Sequence, residues 1–264
     1  MEAAALPVSR AGGHLPAVGL LMRRALYEVV RVPGAAIPGA LAPTLFMLGL
    51  TATFGNLTKL PGFTTDDFMS FIVPVGILQG ATFSGAATGV NLARDIEQGW
   101  FDRLLAAPVP RSALLAGIVL SASLRALLPI TTLLVVAFAL GVEFPGVDGL
   151  LLAITLATLF GAVVACYSVT LALRFRTQAA APLMQAGAFM AVLFTTSYAP
   201  LALLTGVLHD VAAVNPVTEI LEAVRQGFVG DVTWGGTWPG VVALAALAVV
   251  FVLLALRGLS RTGR

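Results

Sequence analysis

The residues best able to do chemistry in this chain lie in one short stretch, 94–113, which reads RDIEQGWFDRLLAAPVPRSA. Ionised side chains stand there beside Trp100, Phe101 and the Leu104-Leu105 pair. This pattern predicts a short amphipathic helix that ends before Pro108. The apolar side of this helix is expected to hold it against the membrane face. The alternative is a plain solvated loop, which rarely combines so many apolar and charged side chains.

The sequence contains none of the common catalytic or nucleotide-binding motifs that were sought. The only lysine, Lys59, is followed by Leu60, so the phosphate-binding pattern G-x-x-x-x-G-K-[ST] does not occur. His14 and His209 lie far apart, and neither H-E-x-x-H nor G-x-S-x-G is present. We therefore expect no catalytic residue, no metal site and no cofactor bound by this chain.

Composition points to a membrane protein. The chain is 58% hydrophobic and 11% charged, and its mean hydropathy is +0.96. Segments of about 20 apolar residues are long enough to cross a hydrocarbon core of about 30 Å. Six such spans are predicted, at about 34–57, 68–92, 113–141, 149–173, 179–198 and 237–256. The predicted fold is an all-α polytopic protein with one transmembrane domain, 34–264.

Positive charge predicts the orientation. With both termini in the cytoplasm, 12 of the 15 Lys and Arg residues lie on the inner side. Only Lys59 and Arg225 fall outside, and Arg125 falls within a span. Cytoplasmic loops retain such an excess of basic residues. The predicted location is the inner (plasma) membrane, which the chain crosses several times, and no nucleic acid is expected as a partner.

The chain before the first span, 1–33, is predicted to be a tail followed by an interfacial helix. Apolar residues repeat at helical spacing between 17 and 32, which favours a helix parallel to the bilayer. Its polar face would meet lipid phosphates through Arg23, Arg24, Glu28 and Arg31.

The long external segment, 199–236, is predicted to re-enter the membrane without crossing it. Asn215-Pro216 is typical of a helix N-cap followed by a first-turn proline. The helix that follows has an apolar stripe on one side and a polar face, with Glu222 and Arg225, on the other. These two side chains are expected to pair, and the helix is expected to cap the outer end of a pathway, either as a gate or as a passive lid.

Two motifs together resemble a known family. The first is Asp95-x-x-x-Gly99-x-x-Asp102-Arg103, followed by Pro108, Arg111 and Gly117. The second is Asn215-Pro216-Val217-Thr218, followed by Glu222-Ala223-Val224-Arg225. At these places in the topology, they resemble the type 2 ABC transporter permeases, and most of all the daunorubicin/doxorubicin-resistance branch. Trp100 departs from the small hydroxyl residue that is more common in the family after this glycine.

The resemblance implies an exporter built from several subunits. Two permease chains, identical or homologous, would bind two soluble ABC ATPase subunits that hold ATP and magnesium. The loop 93–112 would couple the two parts. Its predicted coupling residues are Asp95, Glu97, Gly99, Trp100, Phe101, Asp102 and Arg103. Glu97 and Asp102 are expected to pair with basic ATPase residues, and Trp100 and Phe101 to fill an ATPase pocket.

The implied substrate pathway runs between the protomers, along spans one, two and five. Its candidate residues are Phe71, Phe83, Arg125, Phe189, Phe194 and Tyr198. The candidate external gate consists of Asn215, Pro216, Glu222 and Arg225. Arg125 has two interpretations: its side chain snorkels to phosphates at the inner surface, or it meets an anionic or aromatic substrate.

The substrate class has more than one interpretation. The resemblance favours a hydrophobic or amphipathic compound such as a drug, an antibiotic or a lipid-like molecule. A permease of the same fold that exports a polysaccharide or glycolipid is the main alternative. A membrane-embedded enzyme or scaffold is the third interpretation, and the presence or absence of a neighbouring ATPase gene would discriminate it.

Overall fold

A computed structural model describes residues 33–106 and 110–261 of the chain. The described residues form nine α-helices joined by turns and three short 3-10 segments. The helices are α1 (Pro33–Phe54), α2 (Phe68–Glu97), α3 (Trp100–Ala106), α4 (Arg111–Ala139), α5 (Gly146–Phe175), α6 (Ala181–Leu193), α7 (Gly206–Val214), α8 (Pro216–Val229) and α9 (Trp234–Arg261). The predicted interfacial helix, with Arg23, Arg24, Glu28 and Arg31, lies outside the described residues.

Four of the described helices are long and apolar enough to cross a membrane: α2, α4, α5 and α9. They correspond to predicted spans two, three, four and six. The first span coincides with α1, which has 22 residues. The all-helical membrane architecture of the described residues agrees with the sequence, whereas the count of six spans and the side of the termini stay predictions.

The predicted fifth span, 179–198, differs most from its helix. Helix α6 has 13 residues and ends at Leu193, so it rises only about 20 Å. The side chains of Thr195 and Ser197 donate to the backbone oxygen of Val192 at 2.6 and 2.8 Å. Hydroxyl groups that bond to a nearby carbonyl compete with further helix formation. The helix therefore ends five residues earlier than the predicted span.

Helix α2 is the central helix, and most of its length is buried among α1, α4, α5, α6 and α8. Asp67 caps the end of α2 that is predicted to face outward (its outer end; the opposite, predicted cytoplasmic end is its inner end) by accepting hydrogen bonds from the backbone amides of Met69 and Ser70, both at 3.0 Å. The cap satisfies amides that the first helical turn leaves without intrahelical partners.

Glycines bring α2 into close contact with α4 and α5. A Cβ atom at Gly76 would lie 2.4 Å from a methyl carbon of Leu133 in α4. At Gly89 it would lie 2.5 Å from Cβ of Ser168 in α5, and at Gly85 it would lie 2.6 Å from the Gly161 carbonyl oxygen. Small residues allow helices to pack closely in a bilayer, where apolar burial alone does not drive association.

Two clusters of buried apolar side chains lie along the bundle. The larger one holds the outer and middle parts of α2, α4, α5, α6 and α8. The second one joins the inner ends of α2, α4, α5 and α9 with Phe101 of α3. Helix α9 lies at the edge of the bundle and exposes Val242, Val249 and Leu253, as expected of a helix that faces lipid.

Candidate functional site

The short helix predicted after the second span is present as α3, at the inner end of α2; its coupling role stays a prediction. Gly99 separates the two helices and adopts a left-handed φ of 70°, a conformation that glycine tolerates without strain. The Gln98 amide donates to the Arg94 carbonyl and the Gly99 amide to the Ile96 carbonyl, each at 3.0 Å. These bonds terminate α2 and turn the chain sharply into α3.

The two aromatic residues of α3 lie in different environments. Phe101 is fully buried in the inner apolar cluster, whereas Trp100 is 40% exposed. The expectation that Phe101 enters an ATPase pocket is therefore wrong for this structure, because its ring already packs within the chain. Phe101 anchors the helix, and Trp100 is the aromatic residue that faces outward.

Glu97, at the inner end of α2, binds the turn between α5 and α6. Its Oε1 accepts from the Thr177 hydroxyl at 2.7 Å and from the Gln178 amide at 2.8 Å. Its Oε2 accepts from the Gln178 side-chain amide at 2.6 Å. Both carboxylate oxygens are thus engaged within the chain, although Glu97 was predicted to pair with the ATPase.

Glu97 lies beyond the apolar part of α2, and its titration follows from these contacts. Hydrogen bonds from the Gln178 side chain, the Thr177 hydroxyl and the Gln178 backbone lower its pKa from the usual 4.5. The carboxylate is therefore the form that holds the turn. The contact is fully present above the usual pKa and is lost only as the pH falls through the lowered value.

Weaker contacts surround this link. Arg94 donates to the Gln178 side-chain oxygen at 3.3 Å. A guanidinium nitrogen of Arg176 lies 3.8 Å from a carboxylate oxygen of Asp102, and both side chains are exposed. Arg103 is also exposed, and Asp95 is half-buried. The coupling helix and the α5–α6 turn therefore form one inner surface.

At the outer end, Arg225 of α8 is the centre of a buried polar network. It is 3% exposed, and its guanidinium carbon lies 3.8 Å from the centre of the Phe71 ring in α2. The guanidinium donates to Glu222 at 2.6 Å, which confirms the predicted pair, and to the backbone oxygens of Thr196 at 2.8 Å and Phe71 at 3.3 Å. The Thr196 hydroxyl also donates to Glu222.

Asn215 joins α8 to α6. Its side-chain oxygen accepts from the Val217 amide at 3.0 Å, which confirms the predicted N-cap, and Pro216 occupies the first turn. Its side-chain nitrogen donates to the carbonyls of Ala191 and Phe194, both at 2.8 Å. One amide group thus caps α8 and satisfies carbonyl groups that the end of α6 leaves open.

The candidate pathway residues separate into different settings. Phe83 of α2 and Phe189 of α6 have ring centres 6.0 Å apart, and Phe189 also meets Phe46 of α1 at 6.3 Å. All three rings are half-buried and join the three helices expected to line the pathway. Phe71 is 1% exposed beneath Arg225, so it belongs to the outer network and does not line an open surface.

The remaining pathway candidates lie apart from this aromatic group. Phe194 is exposed at the end of α6, and Tyr198 is half-buried in the following loop. Arg125 of α4 donates to the Thr88 hydroxyl of α2 at 3.1 Å. Thr88 is nine residues before Glu97, which places this contact about 14 Å from the inner end of α2.

Four contributing residues were not singled out from the sequence: Phe46, Thr177, Gln178 and Thr196. Thr177 and Gln178 lie in the short basic turn RFRTQ, whose polarity between two apolar helices was the available signal. Thr196 follows a predicted span and carried no pattern of its own. Phe46 lies in an apolar run where any phenylalanine is expected.

Comparisons with known proteins identify the family. Residues 16–229 match the ABC-2 type transporter family. A probable doxorubicin resistance ABC transporter permease protein, DrrC, from Mycobacterium tuberculosis is 27% identical over 206 residues, 78% of this chain and 72% of that protein.

Two further relatives agree. The daunorubicin resistance ABC transporter permease protein DrrB1 of Streptomyces coeruleorubidus is 29% identical over 123 residues, 47% of this chain and 42% of that protein. The putative transport permease ycf38 of Cyanophora paradoxa is 25% identical over 209 residues, 78% of this chain and 72% of that protein. The resemblance found in the two motifs is thereby confirmed, and the chain belongs to the ABC-2 type transporter family.

Proposed function

We propose that this chain is the membrane subunit of an ATP-driven exporter of hydrophobic or amphipathic compounds in the plasma membrane. A separate soluble ABC ATPase would hydrolyse ATP with magnesium, and two permease chains would assemble with two ATPase subunits. The observation that carries the proposal is the family match over residues 16–229, which includes both α3 and α8. Two of the relatives are named for resistance to doxorubicin or daunorubicin, which supports this substrate class.

The inner surface supports the coupling role. Phe101 fixes α3 to the bundle, so a force applied to the exposed Trp100 acts on the bundle rather than on a loose loop. Asp102 and Arg103 are exposed beside Trp100 and provide charges of both signs for an ATPase cleft. Such an anchor with a charged surround is typical of a docking element.

The aromatic group of Phe46, Phe83 and Phe189 supports the substrate class. Flat, polarisable rings on three helices suit a planar aromatic compound such as an anthracycline. Aromatic rings also suit sugar faces, so a glycan or glycolipid is the competing substrate. The transport assay must therefore offer both classes of compound.

Arg125 is proposed as the charged group nearest the inner mouth of this pathway. Its contact with Thr88 holds the guanidinium at the α2–α4 interface, where a substrate's ring or anionic group could replace the hydroxyl. Arg125→Gln should then insert normally but change which compounds stimulate ATP hydrolysis. If Arg125→Lys and Arg125→Gln both leave the substrate profile unchanged, Arg125 only snorkels to the inner interface.

The proposal is tested by reconstitution. The full chain is co-expressed with each candidate ABC ATPase subunit of the same genome, and inside-out vesicles are tested for ATP-dependent accumulation of doxorubicin. We expect accumulation with ATP and magnesium, and none with a hydrolysis-deficient ATPase subunit. Stimulation by a lipid-linked oligosaccharide but not by doxorubicin would support the glycan alternative. A chain that forms no complex with any ABC ATPase would contradict the exporter itself.

A further inference from the structure

The α5–α6 turn is held in place by long-range contacts rather than by its own sequence. Arg176 adopts a left-handed φ of 55° in this turn, a conformation that is unfavourable for a residue with a side chain. Thr177 caps the following 3-10 segment by accepting from the Ala179 amide at 3.2 Å. The same hydroxyl donates to Glu97, 80 residues earlier in the chain. Thr177 therefore both shapes the turn and binds it to α2.

Glu97 is only three residues before the start of α3. Only Gln98 and Gly99 separate Glu97 from α3 in the chain, so a displacement of α3 reaches Glu97 along the backbone as well as the bundle through the buried Phe101. On the other side, Gln178 begins the segment that leads directly into α6. Glu97 thus lies between the surface that would meet the ATPase and the helix that carries Phe189.

We propose that Glu97 is a positioning residue that ties the α5–α6 turn to the coupling helix, so that ATPase-driven movement of α3 is transmitted to α6. The inference rests on the proposed exporter function and adds a route by which the force reaches the candidate pathway. It replaces the expectation that Glu97 pairs with basic residues of the ATPase. Arg94 and the Asp102–Arg176 pair support the same link from either side.

An exchange of the two side chains separates this role from docking. In Gln178→Glu, Glu97 is intact but faces a second carboxylate and loses the bond to its Oε2. In Glu97→Gln, the new amide nitrogen is a donor that faces a donor of Gln178 or of Thr177, so one hydrogen bond is lost. In the double variant Glu97→Gln/Gln178→Glu, the amide nitrogen at position 97 donates to the carboxylate at position 178. The amide oxygen at position 97 still accepts from the Thr177 hydroxyl and from the backbone amide of residue 178.

The full permease–ATPase complex is assayed in proteoliposomes with doxorubicin. We expect each single variant to retain its bound ATPase but to lower doxorubicin-stimulated ATP hydrolysis about threefold, because water replaces part of each lost hydrogen bond at this exposed site. The double variant should recover most of the wild-type stimulation. Glu143→Gln, in the exposed outer loop, is the matched control and should behave as the wild type.

The inference is overturned if Gln178→Glu stimulates like the wild type, if the double variant recovers nothing, or if Glu97→Gln alone releases the ATPase. Hydrogen exchange across residues 176–182 gives a readout that needs no transport. Exchange should accelerate in both single variants and slow again in the double variant, and no such change would also overturn the inference. A wild-type complex that does not transport doxorubicin contradicts the proposed substrate class, and the exchange pattern still decides the role of Glu97.

Discussion

The two ends of α6 are held by different kinds of contact. At the inner end, the exposed Glu97 carboxylate binds Thr177 and Gln178 just before the helix. At the outer end, Asn215 binds the terminal carbonyls, and the buried Arg225 binds Thr196 just beyond them. Water can replace the inner contacts at little cost, whereas disrupting the outer network would leave a buried guanidinium without partners.

This difference assigns unequal roles to the two ends. Hydrogen bonds at an exposed site can break and reform while the helix shifts, because solvent satisfies the separated groups. A buried, charged network has one favourable arrangement and resists displacement. We therefore expect the outer end of α6 to stay in place and the α5–α6 turn, next to α3, to move most, as far as Met184 of α6, which is fully buried in the inner apolar cluster.

Removing the outer anchor should have the largest effect. Arg225→Ala leaves Glu222 and the Thr196 carbonyl without their charged partner and should cost about 3 kcal/mol. The thermal midpoint of the purified permease, followed by tryptophan fluorescence, should fall by about 6–10 °C. Arg225→Lys keeps the charge but not the fork of donors, so its midpoint should fall less. Equal midpoints for Arg225→Ala and the wild type would contradict the buried anchor.

Removing the outward-facing aromatic residue at the inner end should weaken assembly but not the fold. Trp100→Ala should reduce ATPase binding by about 2 kcal/mol, or roughly 30-fold, as for a buried interface anchor. The ratio of ATPase to permease after purification at low protein concentration measures this. Trp238→Ala, a half-exposed tryptophan at the outer end, serves as the control. Normal assembly of Trp100→Ala would show that α3 does not dock through this ring.

Asn215 allows its two bonds to be separated. Asn215→Ser keeps an oxygen that can cap α8 but loses the reach to α6, whereas Asn215→Ala loses both and should cost about 1–2 kcal/mol. Hydrogen exchange should accelerate over residues 190–198 in both variants, and over the first turn of α8 in Asn215→Ala alone. If residues 190–198 stay protected in both, Asn215 does not hold the outer end of α6.

Breaking the exposed inner ion pair should have the smallest effect. Asp102 and Arg176 are both largely exposed at 3.8 Å, so Asp102→Asn should change stability by less than about 0.5 kcal/mol. The thermal midpoint should stay within about 2 °C of the wild type. A larger fall would mean that the inner end is more rigid than its exposure suggests, and the contrast with Arg225 would weaken.

Local patterns in the sequence were sufficient for part of this architecture. The N-cap at Asn215 and the short helix at Trp100–Ala106 depend on neighbours within a few residues, and their residue types carry the signal. The Glu222–Arg225 pair is three residues apart on one helix and was predictable for the same reason. The apolar spans follow from composition and length.

Contacts between distant parts of the chain were not predictable in this way. Arg225 was predicted to be one of two external basic residues, on the polar face of its helix, yet it is buried against Phe71, 154 residues away. Thr218 on the same predicted polar face is also buried and donates to the Ala212 carbonyl. Nothing in the local pattern of Glu97 indicated Gln178, because tertiary packing alone brings α2 beside the α5–α6 turn.

The glycines of α2 have a mechanical consequence. Where Gly85 and Gly89 meet α5, backbone lies against backbone. Few side-chain atoms separate the two helices there, so the pair should move as one rigid unit. Between α2 and α6, the contact includes the rings of Phe83 and Phe189, 6.0 Å apart, which can tilt and slide. The bundle therefore has a gradient of stiffness, and an applied load should deform the α2–α6 seam before it strains the α2–α5 seam.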